Sequence, residues 1–145
     1  MDFPDIVLPN LGLLRYSNQY DCYEGQINFQ QLQISISLDM DDEGVTEALL
    51  NKANDLVMGL ENYAENTKYY AVEKLLELKN EGWLDENEEP LTPKQFKTRM
   101  VLKSISIWLE GDVEFYHNDG NLFLGHCILI TMDKSDRFID ADIFG

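Results

Sequence analysis

The chain has 145 residues, 44% of them apolar, which is enough for one real core and too much for wholesale disorder. Twenty-seven Asp and Glu against 11 Lys and Arg give a formal net charge of −16, so nucleic acid and anionic membranes are poor partners: the cationic footprint they require is missing. No run approaches the ~18 apolar residues of a membrane span.

The N-terminal Met1-Asp2-Phe3-Pro4-Asp5 lacks the cationic region of a secretory signal, and the apolar stretch after it is broken by Pro9 and Asn10. Leu11 to Leu38 reads as strands. Leu32 to Leu38 alternates strictly with period two, and Tyr23, Gly25, Ile27 and Phe29 share one parity. A turn at Gln30-Gln31 pairs Phe29 with Leu32 and Ile27 with Ile34, although Gln-Gln is a poor dipeptide for a primed turn. The acidic run Asp39 to Gly44 then hands over to a helical period, in which Val45, Leu49, Ala53, Leu56, Leu60, Ala64, Thr67, Ala71, Leu75 and Leu78 form one face. One long helix and two helices both fit, and a bend near Gly59–Asn66 is the preferred reading. Asn80-Glu81-Gly82-Trp83 supplies a stop, with Gly82 in a left-handed position. Thr92, Pro93 and Gln95 predict a capped short helix running to about Arg99.

The last third returns to strands. Val101 to Leu109 alternates, Glu110-Gly111-Asp112 turns, and Val113 to His117 follows. Asp119-Gly120 is a strong hairpin signal before a long strand from Leu122 to Met132, and Arg137 to Phe144 is an optional edge strand beyond these three. The predicted fold is a single α+β domain over residues 1–145, an antiparallel sheet with helices packed on one face, in the order β-β-β-α-α-α-β-β-β. Register carries the functional expectation. The Asp119-Gly120 hairpin sets His117 against Leu122, and a three-residue loop at Glu110–Asp112 sets Leu109 against Val113 and Ile107 against Phe115. The reverse face then carries Trp108, Tyr116 and Phe123, with Glu114 and Ser106 between them.

Those three aromatics are the partner-binding candidates, because rigid rings anchor interfaces with little entropy loss. A ligand site near Glu114, His126 and Asp140 is the alternative. His126 lacks a visible nucleophile, and parity points Cys127 away from it. Asp39 to Glu47 imitates the start of a calcium loop, but its twelfth position is Leu50 and it leaves a strand, so helix-terminus carboxylates explain it more simply. No metal or cofactor is implied. Cys22 and Cys127 read as reduced thiols of a cytoplasmic protein in preference to a disulfide.

Two segments carry a family resemblance: Ala71 to Leu84, with its Leu-Leu-x-Leu-Lys-Asn-x-x-Trp pattern, and Asp119 to His126, with Asp-Gly-x-Leu-Phe-x-Gly-His. With Leu91-Thr92, Phe96, Ile105-Ser106-Ile107 and the closing Asp140 to Gly145, the chain resembles a bacterial family, domain of unknown function 2262, from about Tyr20 onward. The resemblance implies a bacterial setting and no activity, cofactor or catalytic residue. The resulting expectation is a non-enzymatic, immunity-like interaction domain with a protein partner, a basic partner being the sharper reading of the charge. The alternatives are a small-molecule binder or hydrolase-like enzyme with its site near His126, and a homo-oligomer that closes the aromatic face by self-pairing.

Overall fold

In the computed structural model, which describes residues 2–145, four strands precede three helices and four follow them. In chain order these are β1 (Ile6–Leu8), β2 (Gly12–Ser17), β3 (Cys22–Phe29), β4 (Leu32–Leu38), α1 (Glu47–Met58), α2 (Leu60–Gly82), α3 (Pro93–Arg99), β5 (Val101–Ile107), β6 (Val113–Asn118), β7 (Cys127–Met132) and β8 (Phe138–Phe144). All eight strands join one sheet in sequence order. Neighbours pair antiparallel except β4 and β5, which run parallel with Ser35 opposite Ser104 and Leu38 opposite Ile107.

The predicted antiparallel sheet with three strands on each side of the helices is therefore corrected to a mixed sheet with four on each side. A parallel pair needs a crossover of a dozen or more residues, and the helical third supplies it. Apolar alternation reports which side of a strand is buried and carries no information about direction. The strand missed before the helices, β1, is three residues long, too short for alternation to register.

The β3–β4 hairpin has the predicted register, Phe29 opposite Leu32 and Ile27 opposite Ile34. Its turn residues Gln30 and Gln31 both take positive φ, 51° and 68°, so the strand register imposes a primed turn on residues that do not favour one. Gly25, buried within β3, answers a different demand: a Cβ there would lie 2.9 Å from both the Leu13 carbonyl oxygen and Leu14 Cδ2, so only glycine lets β2 cross this closely. Between β5 and β6 the register is Ile107 opposite Val113 and Ile105 opposite Phe115, two residues from the predicted one. The turn is wider, with the Trp108 amide donating to the Asp112 carbonyl at 2.8 Å. An even shift keeps Ser104 to Ile107 on their predicted faces, but a β-bulge between Leu102 and Ser104 breaks the alternation, so Leu102 is buried and Val101 exposed, the reverse of their predicted parity.

The β6–β7 pairing departs further. His117 lies opposite Ile128 and Asn118 opposite Cys127, so residues 119–126 form a loop where the sequence predicted a tight hairpin and the start of a long strand. The helices follow their pattern more closely. Thr46 caps α1, Gly59 separates α1 from α2 at the preferred bend, and Thr92 with Gln95 forms a complete capping box on α3. Gly82 is the last helical residue of α2, with Trp83 as C-cap at φ −128°, where a left-handed glycine was predicted. The buried stripe of α2 runs Leu60, Ala64, Thr67, Ala71, Leu75 and then Lys79, leaving Leu78 exposed. This stripe, with Leu49, Ala53 and Leu56 of α1, packs on Ile34, Ile36, Leu38, Ile105, Ile107, Phe115, Ile128 and Ile130. One face of the sheet is thereby covered.

Candidate functional site

The other face carries no helix. Straight across it, from β2 to β8, Arg15, Glu24, Ser37, Ser106, Glu114, Thr131 and Asp140 stand opposite one another in one row. A second row runs Gln26, Ser35, Ser104, Tyr116, Leu129 and Asp142. The middle of the face is thus built of hydroxyls, and Ser37 Oγ donates to Ser106 Oγ at 3.0 Å across the parallel pair. Above these serines lies an open groove of about 650 Å³, walled on the β2 side by Leu13 and Arg15.

Trp108 and Tyr116 stand on this face, as their parity predicts, and Glu114 ties them together. The Trp108 indole N–H and the Tyr116 hydroxyl, the latter at 3.2 Å, both donate to Glu114 Oε1. The indole remains 43% exposed. Burial, followed by the Glu114 charge, pushes the Tyr116 phenol above its ordinary pKa, so it stays a neutral donor.

Phe123 does not belong to this set. The loop at 119–126 carries it to the helix side, fully buried, with its ring 5.4 Å from Trp83 and 6.1 Å from Phe96. The cause is Asp119. Its buried carboxylate accepts the backbone N–H groups of Asn121 (2.9 Å), Phe123 (2.8 Å) and Gly125 (3.1 Å), folding the chain around itself where a two-residue turn would leave that carboxylate in solvent. Gly120 completes the fit: at φ +57° a Cβ would lie 2.2 Å from the Arg99 carbonyl oxygen.

Glu114, His126 and Asp140 do not meet. His126 Nδ1–H donates to the Phe123 carbonyl, and its ring stacks edgewise on Trp83 at 5.6 Å. Glu114 lies opposite Thr131, five residues along β7 from His126, or roughly 16 Å at strand rise. Asp140 shares the row of Glu114 but sits two strands away. The two cysteines are half-buried free thiols on β3 and β7, separated by β4, β5 and β6.

Two features have no motif behind them. In the first, Lys79, 1% exposed, donates from Nζ to the Trp83 carbonyl at 2.6 Å and to Glu88 Oε1 at 2.7 Å, while Arg99 Nη1 holds Glu88 Oε2 at 3.0 Å and its Nε reaches the Gly120 carbonyl at 3.0 Å. The Lys79 hydrogen bond is the chief reason the Glu88 carboxyl falls to about 2. Lys79 was legible in principle, four residues beyond Leu75 on the buried stripe, but an apolar pattern selects Leu78. This cluster joins the α2–α3 connection to the 119–126 loop, bringing together the two segments that carry the family resemblance. In the second, His117 is buried under α2. Thr67 spends its hydroxyl proton on the Ala64 carbonyl at 2.6 Å, so His117 Nε2–H is the donor across the 3.2 Å contact with Thr67 Oγ1. Nδ1 is left unprotonated and without a partner, and burial lowers the His117 pKa to about 4.

The acidic run after β4 organises its own backbone: Asp39 accepts from the Met40 and Leu109 amides, and Asp41 from Glu43. Among the described residues no group of three or more His, Cys, Asp or Glu is placed to hold a metal ion. No described helix is long and apolar enough to cross a membrane.

A family described as an uncharacterised protein conserved in bacteria, DUF2262, covers residues 9–143. No curated protein and no solved structure matches the chain.

Proposed function

We propose, for a chain that belongs to the bacterial family DUF2262, a non-enzymatic role in which the open face of the sheet docks a basic protein partner. The observation that carries this reading is the bare face itself, where a half-exposed tryptophan is held in place by a carboxylate amid hydroxyls. Rings fixed before binding lose little entropy on association, and Trp and Tyr are favoured anchors. Charge supports the sign of the partner. Glu24, Asp39, Glu114, Asp140 and Asp142 lie on this side against Arg15 and Lys103, within a chain of net charge −16. Such a field speeds the approach of a cationic protein and discourages an anionic one.

The reading that put a small-molecule or hydrolase-like site near His126 finds no comparable support, because the imidazole is tied to a backbone carbonyl and its two carboxylate candidates lie elsewhere. Affinity capture from an extract of the native bacterium tests the docking reading. A basic polypeptide should be retained at about 0.05 M salt and released at about 0.5 M, where screening shortens the Debye length severalfold. It should not be retained by Trp108→Ala/Glu114→Gln. Equal retention by both proteins, or retention indifferent to salt, would refute the reading.

A further inference from the structure

A cavity of about 300 Å³ opens on the same face between Tyr20 and Trp108, floored by Ser37 and Ser106 and edged by Glu24 and Asp39. Its walls offer aromatic rings and oxygen acceptors, and no lysine or arginine lines it. Among the described residues no cation lies within ion-pair distance of either carboxylate: Arg15, opposite Glu24 in the sheet, pairs with Asp5 at 3.6 Å instead.

The parts are fixed in advance. Both Asp39 oxygens accept backbone amides, from Met40 at 2.9 Å and Leu109 at 3.1 Å, so the carboxylate cannot swing away. The Trp108 N–H is committed to Glu114, which pins the indole. At the edge of the cavity burial, and after it the Glu24 carboxylate 3.8 Å away, push the Cys22 thiol up to about 11. This surrounding therefore resists gaining negative charge.

We propose that this cavity receives the guanidinium of an arginine side chain. A guanidinium is planar and weakly hydrated, stacks on indole and phenol faces, and presents a fork of donors that matches a carboxylate. An ammonium satisfies the charge but neither the plane nor the fork. The inference deepens the docking reading of this face and rests on it for the source of the arginine, the basic partner. The chemistry of the cavity is argued from its own walls.

The test is an amide NMR titration of the full chain with acetyl-Gly-Arg-Gly-amide, with its citrulline counterpart as a neutral control of the same shape, and with agmatine as a free guanidinium. The arginine peptide should shift Tyr20, Cys22, Ser37, Ser106 and Trp108 saturably. The citrulline peptide should bind at least about tenfold more weakly, and Glu24→Gln, an exposed site safe for folding, should weaken the arginine peptide about fivefold or more. Equal binding of the citrulline peptide, shifts confined to other residues, or indifference to Glu24→Gln would overturn the proposal. Agmatine binding about tenfold tighter than the peptide would overturn the assignment to a protein side chain. The two readings fail separately. Salt-sensitive capture without peptide binding sinks the cavity alone, and peptide binding without any captured basic protein sinks the docking reading.

Discussion

Around Glu88 both carboxylate oxygens are occupied by cations, and the side chain is 19% exposed. Around Glu24, on the other side of the sheet, the nearest donor is a thiol at 3.8 Å. Both carboxylates belong to one very acidic chain, yet the first closes a structure and the second is left open. A desolvated carboxylate is held by opposite charge and hydrogen bonds because it costs several kcal/mol to bury without them. A carboxylate facing solvent carries no such requirement and is free to meet something else. The contrast separates residues that hold the fold from residues left facing solvent, and the two classes should respond differently to substitution.

The largest expected effect is at the closed cluster. Glu88→Ala strands the buried Lys79 ammonium and should cost about 3–5 kcal/mol, read as a lower urea midpoint. A loss under about 1 kcal/mol would mean that Lys79 finds water and that the two regions differ less than their burial implies. The same carboxyl has a folded pKa of about 2, below its unfolded value. Its contribution is therefore complete above about pH 4.5 and is lost as pH falls toward 2.

The buried His117 gives the next effect, in a separate pH window. Its folded pKa of about 4 lies below the ordinary 6.5, so its stabilisation is complete above pH 6.5 and is lost as pH falls through about 4. That difference corresponds to an effect on the order of 3 kcal/mol. Urea midpoints from pH 7 to 4 should slope downward in the wild type and flatten in His117→Phe. Parallel slopes in both proteins would exclude the imidazole as their source. Asp119→Ala comes third. Of its three amides only that of Phe123 is buried, and leaving it without an acceptor costs about 1–3 kcal/mol, while the loop should lose amide protection at Phe123 and Gly125. On the open face Glu24→Gln and Ser37→Ala should each change stability by about 0.5 kcal/mol or less. A larger loss from either would place it among the structural residues.

The sequence was most legible where a period repeats. Phe29 and Leu32 set the β3–β4 register through their parity, and Thr92 with Gln95 marked α3 through local capping chemistry. Trp108 and Tyr116 were placed on the correct face even though the β5–β6 register was two residues off, because parity survives an even shift. Legibility failed where a tertiary partner outweighed a local signal. Asp119-Gly120 has the composition of a hairpin turn, but the Asp119 carboxylate gathers three amides of the following loop, and Phe123 turns to the helix side with them. Lys79 reads as a surface residue until Glu88 and the Trp83 carbonyl are beside it. The parallel β4–β5 pair, which aligns Ser35 and Ser37 with Ser104 and Ser106, joins strands more than 60 residues apart, a relation that no local window contains.

Docking on the open face is decided by a paired measurement on Trp108→Ala/Glu114→Gln: its melting temperature, and its retention of a basic partner at about 0.05 M salt. If the open face docks a basic protein, the variant should melt within about 4 °C of the wild type and lose retention. An equally stable variant that still holds the same partner would contradict this docking.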